Sequence, residues 1–96
     1  MAHRFRISGV EEQERWIFLS HDGDWQEPDA FVALLKRISG DLHSDILPLG
    51  DCTYALPGDG LGLRYQWDDL YGVSVVCPQE IAVTDALAFL SRYADA

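Results

Sequence analysis

Phe5 and Ile7 alternate with Arg4, Arg6 and Ser8, the two-residue period of a strand with one buried face. Residues 9–14 are polar and read as a turn. The run Arg15-Trp16-Ile17-Phe18-Leu19-Ser20 is apolar, aromatic and β-branched over a strand's length, which predicts a second strand paired with the first as an antiparallel hairpin. His21-Asp22-Gly23-Asp24 then breaks the pattern. From Pro28 the period changes. Phe31, Val32, Leu34, Leu35 and Ile38 fall at offsets 0, 1, 3, 4 and 7, one face of a helix. Pro28 suits its first position, Asp29 its first turn, and Lys36, Arg37 and Gly40 its end. The spacing predicts a helix over 28–39.

Residues 41–60 hold Pro48, Gly50, Pro57, Gly58 and Gly60, so long regular elements are not expected there. Two short strand pieces, 46–49 and 53–56, fit the pattern, with Pro48 confining the first to a sheet edge. Leu61, Leu63, Tyr65 and Trp67 then share one face of a strand, with Gly62, Arg64 and Gln66 on the other. Asp68, Asp69 and Gly72 supply turn chemistry, and Val73-Ser74-Val75-Val76-Cys77 returns as a β-branched strand before Pro78. A closing helix is expected from Thr84, with Thr84 as N-cap, Asp85 in the first turn and Ala86, Leu87, Leu90, Tyr93 and Ala94 on one stripe. The element order is β-β-α-β-β-β-α. It predicts an α+β fold, an antiparallel sheet of four to five strands covered by two amphipathic helices. The 96 residues form one domain in this reading.

Composition adds constraints on function. The chain is 48% hydrophobic and 24% charged, ordinary for a globular domain able to bury its own core. No stretch reaches the roughly 18 apolar residues that a bilayer span needs, and no export signal is legible, so the expected compartment is the cytoplasm. Sixteen Asp and Glu stand against seven Lys and Arg, a net charge of −9. That argues against nucleic acid and against an anionic membrane surface. It suits solubility, or an acidic face that steers a basic protein partner. Cys52 and Cys77, the only cysteines, are expected to be free thiols in a reducing compartment rather than a bridge.

Several clusters invite a chemical role. His21-Asp22-Gly23-Asp24 puts metal-type ligands within four residues, yet completes neither a calcium loop nor a zinc spacing, and a strand-to-helix turn accounts for it. The glycines of residues 57–63 lead into a strand, whereas a phosphate loop leads out of one into a helix. Asp68-Asp69 is a carboxylate pair, but general acid–base work needs two different environments. A nucleophile built from Cys52 and His43 would need a geometry that no local signature supplies. No catalytic residue, metal or cofactor is therefore expected. Trp25 and Tyr71 stand among acids in expected turns, where aromatic side chains either fold back over the core or act as interface anchors. Together with Asp68 and Asp69 they are the candidate partner-binding residues.

The run Trp67-Asp68-Asp69-Leu70-Tyr71-Gly72-Val73, within a short acidic α/β chain that closes on an amphipathic helix, resembles the small immunity proteins of bacterial polymorphic-toxin systems. The resemblance implies a protein-interaction module that binds and blocks a basic toxin or enzyme domain. It carries over no individual functional residue. A competing expectation is a small-molecule-binding α+β domain, which could be a homodimer, with a pocket between sheet and helices. A third is a nucleic-acid mimic whose carboxylates stand in for phosphates.

Overall fold

The computed structural model describes residues 4–21 and 28–95. Its strands are β1 (Phe5–Glu11), β2 (Trp16–His21), β3 (Leu47–Gly50), β4 (Thr53–Ala55), β5 (Arg64–Asp68), β6 (Gly72–Val76) and β7 (Ala94–Asp95). They form one sheet in the order β3-β4-β5-β6-β2-β1-β7. The helices are α1 (Asp29–Leu42) and α2 (Val83–Leu90), and a single 3-10 turn spans Pro57–Asp59. Among the described residues β1 and β7 pair in parallel, and the other pairings are antiparallel. The α+β class follows the sequence pattern, but the sheet is mixed and has seven strands, not four to five antiparallel ones. Residues 41–60 contribute both of the short strand pieces that the pattern allows, where the element order counted one. The seventh, β7, comes from residues that the apolar stripe assigns to the closing helix.

Register sorts the side chains into two faces. Ile7 opposes Leu19, Ile17 opposes Val75, Leu19 opposes Val73, and Tyr65 opposes both Val75 and Tyr54. These inward positions join one hydrophobic core with Ala30, Phe31, Leu34, Leu35 and Ile38 of α1 and with Ala86 and Leu90 of α2. The outward positions Arg6, Trp16, Phe18, Ser20, Arg64 and Gln66 are half-buried or exposed, and Trp16 and Phe18 pack on each other with ring centroids 5.9 Å apart.

Both helices differ at their ends from the sequence expectation. α1 runs through Gly40 to Leu42, and His43, left-handed at φ 50°, closes it. Leu42 lies one turn beyond Ile38 and packs against the core. That burial offsets the roughly 1 kcal/mol that a glycine costs inside a helix. α2 starts at Val83 with Ala82 at its N-cap, so Thr84 lies inside it. It stops at Leu90, and a turn then releases Tyr93 and Ala94 toward the β1 edge, where Ala94 opposes Phe5.

Two local devices position the loops. Arg15, left-handed at φ 61°, donates from Nε and Nη2 to the Pro78 carbonyl at 3.2 and 2.9 Å and from Nη2 to the Ile81 carbonyl. Its own carbonyl accepts from the Cys77 N–H at 2.8 Å. The β1–β2 turn thus holds the segment that leads into α2. At the other side, Gly58 N–H donates to Ser44 Oγ at 2.8 Å. A Cβ at Gly58 would lie 2.7 Å from Ser44 Cβ, so this approach to the end of α1 requires glycine.

Candidate functional site

The turn between β5 and β6 is built by Asp68. Its Oδ1 accepts from the backbone N–H of Leu70 at 2.7 Å and of Tyr71 at 3.3 Å, the local side-chain-to-backbone bonding that makes Asp a turn residue. Gly72 follows at φ 75°, a left-handed conformation that only glycine adopts without strain. Asp68 and Gly72 form the last pair of the ladder. The turn is therefore held at its base and along its backbone while its side chains point away from the core.

Those side chains are Leu70 and Tyr71, each 71% exposed and above every other exposed large hydrophobic residue among those described. Asp68 and Asp69 flank them and are exposed. The register brings a second turn to this end of the sheet. Gly50 opposes Thr53, Thr53 opposes Gln66, and the Trp67 N–H donates to the Cys52 carbonyl at 3.0 Å. Asp51 and the half-exposed Leu49 of the β3–β4 hairpin thus lie toward this end of the sheet. The tip thus displays an apolar pair flanked by the carboxylates of Asp68 and Asp69, with Asp51 at the same end of the sheet.

Of the residues singled out from sequence, Asp68, Asp69 and Tyr71 meet in this turn. Trp25 lies outside the described residues. Asp68 has a structural task that explains it without a partner; Asp69 and Tyr71 do not. Sequence reasoning passed over Leu70, Leu49 and Asp51. The signal for Leu70 was an apolar residue inside a turn whose chemistry Asp68 and Gly72 already supply. Leu49 and Asp51 carried none, because their place at this end of the sheet depends on strand order.

The glycine-containing loop at residues 57–63 is accounted for by its own hydrogen bonds. Asp59 Oδ1 accepts from the N–H of Leu61 and Gly62 at 2.7 and 3.0 Å, and its Oδ2 accepts from the Tyr65 hydroxyl at 2.8 Å. The glycine-containing loop thus spends its N–H donors on its own carboxylate. His21 ends β2 with its ring edge-on to Phe5 at 5.1 Å, and Asp22, Gly23 and Asp24 lie outside the described residues. Among the described residues no group of three or more His, Cys, Asp or Glu is placed to hold a metal ion, and no helix is long and apolar enough to cross a membrane. Cys52 and Cys77 are free thiols. His43 and Cys52 are each the left-handed residue of an exposed turn. Burial raises the Cys77 thiol above its ordinary pKa, against an opposing pull from Arg15. Comparison with family models, curated protein sequences and solved structures gives no match.

Proposed function

We propose that this protein is an interaction module that docks a basic protein partner through the tip of the β5–β6 hairpin, in the manner of an inhibitor or immunity protein. The observation that carries the reading is the exposure of Leu70 and Tyr71, 71% each, on a turn whose backbone Asp68 holds in place. Side chains that fold into a core need no such display, and a rigid backbone lowers the entropy lost on binding. An exposed aromatic beside a second apolar side chain suits the buried centre of an interface. Asp68 and Asp69 beside it suit the polar rim and would speed encounter with a cationic surface.

Affinity capture from the native host with the wild-type chain and with an L70S/Y71S variant tests this. The expected result is a basic protein retained by the wild type, lost with the variant, and released steeply as salt rises. A partner held equally by both chains would place the interface elsewhere.

A further inference from the structure

The net charge of −9 conceals a local excess of positive charge. Two adjoining clefts open along the β1–β7 edge and share Arg4, Phe5 and Asp95. One, of about 320 Å³, also takes in Arg6 and His21. The other, of about 390 Å³, takes in Arg37, Arg92 and Tyr93. Four of the chain's seven Lys and Arg residues therefore line one continuous edge. The helix α1 supplies Arg37, the turn after α2 supplies Arg92, and β1 supplies Arg6, so only the tertiary fold gathers them.

We propose that these clefts bind a small organic phosphate, a phosphomonoester, with Arg37 and Arg92 as its oxyanion anchors. This site is separate from the hairpin tip and does not rest on the interaction reading. Charge balance is the first support. The one ion pair among the described residues joins Arg4 Nε to Asp95 Oδ2 at 3.2 Å. That pair neutralises the carboxylate that would otherwise repel an anion. Asp41, another acid near this edge, faces the Tyr93 hydroxyl, whose pKa burial first and Asp41 second push upward. Among the described residues Arg37 and Arg92 form no ion pair with a carboxylate, in a chain that carries sixteen acids. A phosphomonoester, with a charge of about −1.5 to −2 near pH 7, matches them.

The way the two guanidiniums are held is the second support. Arg37 Cζ lies over the Tyr93 ring at 5.3 Å from its centroid, and Arg92 Cζ lies 5.8 Å from the centroids of both Tyr93 and Phe89. Attraction to a ring face positions a guanidinium without consuming its N–H groups on an acceptor. The planar fork of donors stays available for bidentate contact with phosphate oxygens. Tyr93 is itself buried and packed against Phe89, with centroids 5.7 Å apart, so the platform is rigid.

Size and lining are the third. Each cleft falls within the roughly 300–1,000 Å³ range of small-molecule sites. Phe5 and the edge-on Phe5–His21 pair give the neighbouring cleft an apolar wall where the organic part of a monoester would lie. The acidic tip stands at the same end of the sheet, and from β6 it is two strand spacings to β1 and three to β7, roughly 10–14 Å.

Titration of the full chain at constant ionic strength with phenyl phosphate, inorganic phosphate and sodium chloride tests the proposal, followed by amide NMR shifts. Phenyl phosphate should saturate one site, with perturbations at residues 4–6 and 91–95 and none at 68–72. R37Q and R92Q should each weaken it at least tenfold. R64Q, which removes the same charge outside these clefts, should leave it unchanged. Shifts that sodium chloride reproduces, or that map elsewhere on the wild-type chain, would overturn the site whether or not the glutamine variants fold. Equal affinity for inorganic phosphate would overturn the choice of a monoester. A short single-stranded oligonucleotide that bound more tightly at the same residues would replace the small ligand with a nucleic-acid strand.

Discussion

The Tyr65 hydroxyl donates to Oδ2 of Asp59 at 2.8 Å while Oδ1 of that carboxylate takes the N–H of both Leu61 and Gly62. Tyr65 is fully buried at the centre of the sheet, so one side chain of a surface loop satisfies the most deeply placed hydroxyl of the core. Tyr65→Phe removes a hydrogen bond to a charged acceptor and should cost about 1.5–3 kcal/mol. Asp59→Ala should cost more, because it leaves a buried hydroxyl and two backbone donors without their acceptor. Urea denaturation of both variants checks the order.

The same contact sets a pH dependence. Burial, then the charge of Asp59 and its hydrogen bond, hold the Tyr65 phenol far above its ordinary pKa of 10.0. The unfolded chain loses that proton near pH 10 and the folded chain keeps it. Stability from this group is complete below about pH 10 and falls above it, by about 1.4 kcal/mol per pH unit while the one-proton difference lasts. Cys77, raised from 9.0 by burial, adds a decline of the same sign that begins about one unit lower. Denaturation midpoints from pH 8 to 11 should therefore drop at the alkaline end, and Tyr65→Phe should make the part above pH 10 shallower, with Tyr93, raised from 10.0 by burial, keeping a residual slope.

Arg15 joins three segments through its guanidinium and its carbonyl. Arg15→Ala should destabilise by about 1.5–3 kcal/mol, the worth of a charged hydrogen-bond donor. Arg15→Gly loses the same bonds but relieves the left-handed backbone, and should recover up to about 1 kcal/mol of that loss. If alanine and glycine gave equal unfolding midpoints, the positive φ would carry no cost.

Gly58→Ala places a Cβ 2.7 Å from that of Ser44 and should cost about 1–3 kcal/mol as an overpacked contact. The double variant Gly58→Ala, Ser44→Gly removes the clash, so its cost should fall below the sum of the two single costs, a coupling readable in a double-mutant cycle.

At the hairpin tip, structural and displayed residues should separate. Asp68→Ala strips the turn of two hydrogen bonds and should cost about 1 kcal/mol. Asp69→Asn, Leu70→Ser and Tyr71→Ser touch nothing in the core and should each stay within about 0.5 kcal/mol of wild type in thermal melts. A large loss with Leu70→Ser or Tyr71→Ser would mean that these side chains support the fold and are not on display.

Much of the fold was legible because burial imposes a period on the sequence. The alternation Leu61, Leu63, Tyr65, Trp67 and the helical spacing of Phe31 to Ile38 are local records of which face meets the core. Element ends were less legible. Gly40 reads as a stop, yet α1 passes through it because Leu42 finds a place against the core. Tyr93 and Ala94 continue the apolar stripe of α2, yet leave it because the open edge of β1 offers backbone partners to Ala94 and Asp95. A two-residue strand is too short to leave a period, so β7 had no signature of its own.

The sequence alone determined the class, the two helices, the main hairpins and the turn at Asp68–Gly72, since each depends on neighbours along the chain. Only the tertiary structure decided which distant residues share a surface. It set Leu49 and Asp51 toward the same end of the sheet as Leu70 and Tyr71 through the pairing of β4 with β5. It gathered Arg4, Arg6, Arg37 and Arg92 at the opposite edge of a chain whose summed charge is strongly negative. The physical reason is common to both: strand order and helix docking follow from core packing as a whole, whereas composition reports total charge and carries no information about where that charge lies.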